Sequence, residues 1–285
     1  MEYVTLNNGV RMPKLGLGVM QMTEPQEAED AIVTALQMGY PMVDTAAAYG
    51  NEEIVGRAIA RADVERKEIF VTSKLWVSDM SYEGAKRGLA TSLEKLGLDY
   101  LDLFVLHQPI GDIYGAWRYL EEAYNEGLVR AIGVDNFSQA KVVEFSRFNA
   151  VKPAVNLLQV NPVHQRWDFE EALTKRNIQM VGWQPFAAGD EGLLTNETLK
   201  AIGDKHGKSV AQVILRWLMQ RDVVALAKSI NPVRMAENLA IFDFALDAED
   251  MEAIRSLDQG GGFALPETAD GFERVLNMWE GMFGK

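Results

Sequence analysis

The sequence of 285 residues contains no cysteine. Disulfides, thiolate zinc sites and cysteine nucleophiles are therefore excluded, and the composition fits a reducing compartment. Histidine is scarce, with three in all, and no His/Asp/Glu spacing resembles a zinc or di-metal site. Basic residues are in deficit: 28 Lys and Arg against 41 Asp and Glu leave a formal net charge of −13. That balance argues against binding to nucleic acid or to an anionic membrane surface, both of which need basic stripes. No apolar run approaches the roughly 20 residues of a membrane span. The stretch Met1-Glu2-Tyr3-Val4-Thr5-Leu6 lacks the basic start and apolar core of a signal peptide. Gly-x-Ser-x-Gly elbows and Walker loops are absent. The expectation is a cytoplasmic protein, monomeric or weakly dimeric.

What is present reads as an ordinary globular chain, 48% hydrophobic and 24% charged. Residues 3–13 pattern as a hairpin turning at Asn7-Asn8-Gly9. Leu15-Gly16-Leu17-Gly18 is a candidate first strand; as a dinucleotide-binding glycine loop it lacks the third glycine and a following helix. Further short apolar runs lie near 42–45, 69–73, 102–107, 129–134, 154–160, 178–183 and 223–227. Amphipathic helices are expected near 25–38, 51–62, 81–96, 112–126, 138–148, 166–176 and 209–220. Alternation of this kind implies parallel strands joined by helical crossovers. About eight units in such a length suggest a closed (β/α)8 TIM barrel with an N-terminal β-hairpin; a doubly wound open sheet is the alternative. No linker divides residues 1–285, so one domain is expected. Gly260-Gly261-Gly262 reads as a hinge between a last helix near 247–257 and a C-terminal loop/helix tail, about 260–285. The tail is apolar enough to pack, either over the barrel mouth or against its side.

Three of the apolar runs end in a polar side chain: Asp44, Lys74 and His107. Tyr49 follows Asp44 in a loop of small residues closed by Gly50 and Asn51. In a barrel these positions meet at the carboxyl face, where active sites lie. A phenol has a reference pKa of about 10, and a neighbouring ammonium lowers it by favouring the phenolate. With Asp44 holding Lys74 charged, Tyr49 is expected to act as a general acid, and His107 to orient a substrate oxygen. Such a set suits protonation of a carbonyl oxygen as a hydride arrives at its carbon. Further along, Asn231 is a good N-cap and Pro232 a good first helical residue. With Lys228 and Arg234 beside it, that helix start is a candidate anion site, or simply a capped helix with solvated basic residues.

These blocks resemble the aldo-keto reductase family over nearly the whole chain. The matching segments are Leu15 to Gly18, Asp44-Thr45-Ala46 through Tyr49-Gly50-Asn51-Glu52, Ser73-Lys74-Leu75-Trp76 and Leu106-His107. To these are added Ile132 to Phe137, Val160-Asn161-Pro162, and Lys228-Ser229 with Arg234 and Asn238. The pattern is nearest the diketo-gluconate reductase branch. The resemblance implies the barrel, NADPH as hydride donor, and a catalytic tetrad of Asp44, Tyr49, Lys74 and His107. It also implies docking of the 2′-phosphate at Lys228, Ser229, Asn231 and Arg234, and of the adenine at Asn238, with Glu237 bracing it. A nucleotide-binding regulatory module on the same scaffold, with little turnover, is the alternative.

The sequence departs from the family on the nicotinamide side. Asp135 stands where serine is usual, beside the matching Asn136. Leu157 replaces the carboxamide-binding glutamine, and Gln159, two residues on and on the same strand face, is the candidate substitute. Trp183 takes the place of the aromatic residue that stacks on the ring, and a buried structural tryptophan is its alternative. In the substrate pocket, Met20 and Gln108 replace two common tryptophans, while Trp76 is retained. A roomier and more polar pocket is expected from this, suited to small dicarbonyls or keto-sugars. His164 and His206 are expected to be surface or helix histidines.

Overall fold

Residues 1–283 are described by the computed structural model. Strands β1 (Tyr3–Thr5) and β2 (Arg11–Pro13) pair antiparallel as the N-terminal hairpin. Eight parallel strands follow: β3 (Leu15–Gly18), β4 (Met42–Asp44), β5 (Phe70–Leu75), β6 (Leu103–Leu106), β7 (Ile132–Asp135), β8 (Val155–Gln159), β9 (Gln179–Trp183) and β10 (Val224–Ala227). They close in chain order, with β10 pairing back to β3. Closure is the barrel reading, and the open sheet is set aside.

The crossovers are α1 (Pro25–Gln37), α2 (Glu52–Arg61), α3 (Tyr82–Leu96), α4 (Ile113–Asn125), α5 (Gln139–Phe148) and α6 (Trp167–Thr174). Between β9 and β10 the connection runs through α7 (Glu191–Leu194), α8 (Glu197–His206) and α9 (Val210–Gln220). The first two of these were not read from the sequence. Helices α10 (Pro232–Leu239), α11 (Ala248–Arg255) and α12 (Ala269–Phe283) follow the last strand.

Strand alternation divides the core in two. Outward residues such as Val43, Val71, Phe104 and Val134 pack beneath the helices. Inward ones, including Met42, Phe70, Leu103, Val105, Val155, Leu157, Val181 and Leu226, fill the barrel, and Val4, Leu6 and Met12 of the hairpin plug its lower end. Gly133 has no room for a side chain, because a Cβ there would lie 2.4 Å from a Val155 methyl. The same parity carried one step upward turns Asp44, Lys74, His107, Asp135, Gln159 and Trp183 toward the barrel mouth.

The tail folds over that mouth. Gly260, Gly261 and Gly262 all have positive φ (67°, 68° and 101°), a run that only glycine adopts without strain. The chain thereby reverses from the barrel side into α12. Its departure is pinned by His164 Nδ1 at 2.7 Å from the Gly260 carbonyl, by the Arg166 guanidinium donating to the Phe263 carbonyl, and by Gln159. His164 is thus no detached surface residue; it anchors the tail at the cavity edge. His206 sits in an ordinary ionic cluster, with Nε2 2.7 Å from Asp250.

Candidate active site

A cavity of about 1150 Å³ occupies the carboxyl end of the barrel, and all four tetrad candidates line it. Asp44 ends β4 with its side chain inward. Past it the backbone makes a single 3-10 turn, Ala47–Tyr49, which Gly50 ends in the left-handed region at φ 66°. Buried side chains fix this turn. Thr45 donates to Asn51 Oδ1 at 2.8 Å, Asn51 donates to the Val19 and Met22 carbonyls, and Ser73 donates to Glu52 at 2.6 Å. Tyr49 is therefore presented by a rigid corner rather than a free loop.

Beneath it, Lys74 Nζ donates to Asp44 Oδ1 at 2.5 Å and to the Thr45 carbonyl at 2.9 Å. The ammonium lies 5.1 Å from the centre of the Tyr49 ring. His107 meets Tyr49 edge to face at 5.7 Å and Trp76 at 5.0 Å. Burial alone would push Lys74 down, but the attraction of Asp44, Tyr49 and Asp135 outweighs it and the ammonium is raised. Asp44 is also raised, since burial outweighs the pull of Lys74. The short contact and the fully charged lysine make this an ion pair. Burial, then Lys74, holds His107 well below the usual imidazole range, so it is neutral at physiological pH.

The phenol differs from the sequence expectation. Lys74 does lower it, but burial is the larger effect, and Asp44 and Asp135 add to burial, so Tyr49 is pushed up to about 12. The cation beside the ring moderates the cost of forming phenolate without making the group acidic. Tyr49 is consequently protonated throughout the neutral range.

On the far wall, Asp135 ends β7 at 3% exposure, its Oδ2 4.0 Å from His107 Nε2. Burial holds this carboxyl well above the usual carboxylate range, despite the nearby ammonium of Lys74. The next residue, Asn136, has φ 60°, which turns its amide back to the cavity, where Nδ2 reaches Gln108 Oε1 at 3.5 Å. Gln108, expected to supply a polar wall, faces this internal partner. Gln159 is occupied as well: Oε1 accepts from the Phe263 amide at 2.7 Å and Nε2 donates to Gln184 Oε1 at 2.9 Å. Its amide holds the tail in this structure.

Among the described residues, four buried polar atoms on the cavity wall have no hydrogen-bond partner: His107 Nδ1, Asp135 Oδ1, Asn136 Oδ1 and Trp183 Nε1. The Trp183 indole N–H lies near Asp135 but closes no well-aligned bond to it. Orphaned donors and acceptors in one buried place are costly unless a ligand satisfies them. Their mixture suits an amide.

At the other end of the cavity, Lys228, Ser229, Arg234, Glu237 and Asn238 line the wall. Asn231 caps α10, its Oδ1 accepting from Val233 and Arg234 amides at 2.9 and 3.4 Å. Those backbone donors are thus already used, and an anion here would rest on the side chains and the helix dipole. Lys228 and Arg234 are exposed, and neither joins an ion pair among the described residues. The orphaned amide-sized patch and the open basic end together fit a nicotinamide dinucleotide phosphate.

The sequence reading missed one part of this cavity and left a second open between two placements. Ser209, Val210 and Ala211 at the start of α9 line it; the signal was a capping box, Ser209 with Gln212, that marked a helix start without showing what it faced. The second part is the roof. Trp279 stacks edge-on to Trp76 at 5.4 Å, and Phe283 lies 5.2 Å from Trp76 and 6.3 Å from Tyr49. Phe263 meets Trp183 at 5.9 Å. Aromatic rings of the tail therefore stand above Tyr49 and Trp76, a wall that the replacement of two tryptophans by Met20 and Gln108 did not foretell. Among the described residues no cluster of side chains could hold a metal ion, and no helix is long and apolar enough to cross a membrane.

The model of the aldo/keto reductase family matches residues 14–259, ending just short of the glycine hinge. The chain is 44% identical over 259 residues to glyoxal reductase of Bacillus subtilis, covering 90% of this chain and 93% of that protein. It is 38% identical over 260 residues to methylglyoxal reductase DkgA of Escherichia coli, covering 90% and 94%. The crystal structure of MGS-M4, an aldo-keto reductase from a Medee basin deep-sea metagenome library, matches with TM-score 0.89 at 40% identity, over 91% of this chain and 96% of that one. A Bombyx mori aldo-keto reductase in complex with NADP matches with TM-score 0.86 at 33% identity, over 90% and 93%.

Proposed function

The chain belongs to the aldo/keto reductase family and is an oxidoreductase acting on carbonyl groups, and from that premise we propose that it reduces short dicarbonyls to hydroxycarbonyls with NADPH, using Tyr49 as the acid. The observation that carries the reading is the buried Asp44–Lys74 pair beneath Tyr49 and beside neutral His107. When bound, the dinucleotide supplies the hydride.

The protein's part is to bind, orient and protonate. Tyr49 keeps its proton until negative charge builds on the carbonyl oxygen, then gives it up. Lys74 stabilises the phenolate left behind, and Asp44 keeps the ammonium in place. His107 is neutral, so it can donate to the substrate oxygen without adding a charge that would favour ground-state binding. The aromatic roof excludes water from the reacting atoms.

For the cofactor, Lys228, Ser229, Asn231 and Arg234 form the phosphate end, and Asn238, buried and adjoining Tyr40, with Glu237, the adenine end. A basic pair there favours the phosphorylated dinucleotide over NADH. Asn136, Asp135 and Trp183 face the nicotinamide amide and ring. Short substrates are favoured because Phe283 stands over Tyr49 and Trp279 over Trp76, with Met20 and Gln108 as the remaining walls, and because relatives include reductases named for glyoxal and methylglyoxal. Keto-sugars small enough to pass beneath the roof belong to the same class.

The test is steady-state NADPH oxidation with methylglyoxal, beside fluorescence titration of NADPH. Binding with turnover supports the reductase; binding without turnover on any short carbonyl would instead make the chain a nucleotide-sensing module.

A further inference from the structure

The chain places in the nicotinamide wall an acid to which the proposed reaction gives no proton-transfer role. Asp135 is 3% exposed, borders the cavity, and has one oxygen with no partner among the described residues and the other 4.0 Å from His107. Its neighbours are Asn136 and Trp183, which carry orphaned polar atoms of their own. Among the described residues no cation lies at contact distance to neutralise a carboxylate here. The charged Lys74 lies near but is committed to Asp44.

We propose that Asp135 couples a proton to the redox state of the bound nicotinamide, staying neutral against the uncharged reduced ring and ionising against the cationic oxidised ring. The inference rests on the dinucleotide reading above. Its physical basis is that an ionised acid in a water-poor wall is costly unless a positive charge faces it. The oxidised ring is such a charge and the reduced ring is not. A serine at this position could donate and accept but could not follow the redox state. A neutral carboxyl donates and accepts as well, so the amide of the reduced cofactor loses no contact.

The other groups facing Asp135 leave it as the titrating member. From β4 comes Asp44, paired with Lys74 of β5; the ammonium is raised and stays charged. His107, after β6, is held neutral by burial, and Tyr49 is pushed up to about 12. From β8 and β9 come Leu157, Gln159 and Trp183, which do not ionise. Burial leaves Asp135 with its proton well beyond the range of an ordinary carboxyl.

By linkage, a group whose pKa falls on binding makes that binding tighten as pH rises, by up to about tenfold per pH unit between the bound and free values. NADP⁺ and NADPH share the same phosphates, so the ratio of their Kd values cancels phosphate ionisation. The experiment measures both Kd values by tryptophan fluorescence from about pH 5 to about pH 9, for the wild type, Asp135→Asn and Asp135→Ser. Calorimetry in buffers of different ionisation enthalpy counts protons released. In the wild type, NADP⁺ should tighten relative to NADPH by about tenfold or more over this range, with proton release on NADP⁺ binding only. In both variants the ratio should be flat. A flat ratio in the wild type, or the same slope in Asp135→Asn, overturns the coupling while leaving the reductase reading intact. If neither dinucleotide binds the wild type, the cofactor reading falls and the coupling with it.

Discussion

Lys74 and Asp44 face each other at 2.5 Å on the cavity floor, their side chains 1% and 6% exposed. Two charges taken this far out of water survive because each is the other's partner, and removing one leaves the other stranded. Lys74→Met is expected to cost about 3–5 kcal/mol of stability. The Asp44→Leu, Lys74→Met double variant should recover much of that loss while remaining inactive. Urea denaturation of the single and double variants checks this. Additive losses would mean that the two groups are not coupled.

Asp135 makes a prediction about stability that needs no cofactor. Its folded pKa is raised, so its contribution is full below the unfolded carboxyl value of about 3.9 and is lost as pH rises toward the folded value. Relative to Asp135→Asn, the wild type should therefore lose Tm as pH rises from about 4, and the gap should level off once the folded carboxyl has ionised. Thermal melts of both proteins across this range measure it. A gap that moves the other way would mean that the carboxyl is stabilised as an anion.

Much of this architecture is legible in the chain itself. The alternation of short apolar runs with amphipathic helices gives the eight units, and a polar residue ending three of those runs marks the face where chemistry gathers. Residues set by one element, such as Asp44 and Lys74, are readable because strand parity fixes where they point. The missing parts depend on distant contacts. Nothing local to Phe283 or Trp279 says that they close over Tyr49 and Trp76; the glycines before them leave the direction of the tail undetermined, and partners distant in sequence, Gln159, His164 and Arg166 among them, fix it. The phenol is a similar case. A neighbouring cation is visible in sequence, but the burial that outweighs it belongs to the assembled site. Helices α7 and α8 escaped because they lie in one long connection whose apolar positions serve two short elements.

The basic end of the cavity should set the choice between dinucleotides. Because Asn231 already satisfies the amides of Val233 and Arg234, the side chains must supply the recognition of a 2′-phosphate. Arg234→Ala is expected to weaken NADPH by about 10–100-fold, the value of a charge-assisted bond, and Lys228→Ala by somewhat less. NADH binding should change little in either. Equal losses for both dinucleotides would place the phosphate elsewhere.

The roof should set substrate size. Trp279→Ala and Phe283→Ala remove rings lying 5.4 and 5.2 Å from Trp76. They are expected to raise kcat/KM for bulky aromatic aldehydes by about tenfold relative to methylglyoxal, since each opened contact is worth roughly 1–3 kcal/mol of discrimination. Unchanged ratios would show that the tail lifts away during turnover.

The central claim, proton donation from Tyr49, is tested most directly by Tyr49→Phe. The ring and its edge contact with His107 remain, and only the hydroxyl is removed. The account predicts that kcat/KM for methylglyoxal falls by about 10²–10⁴-fold, while the Kd for NADPH stays within about twofold of the wild type. A Phe variant that binds NADPH normally and keeps most of its turnover would contradict it.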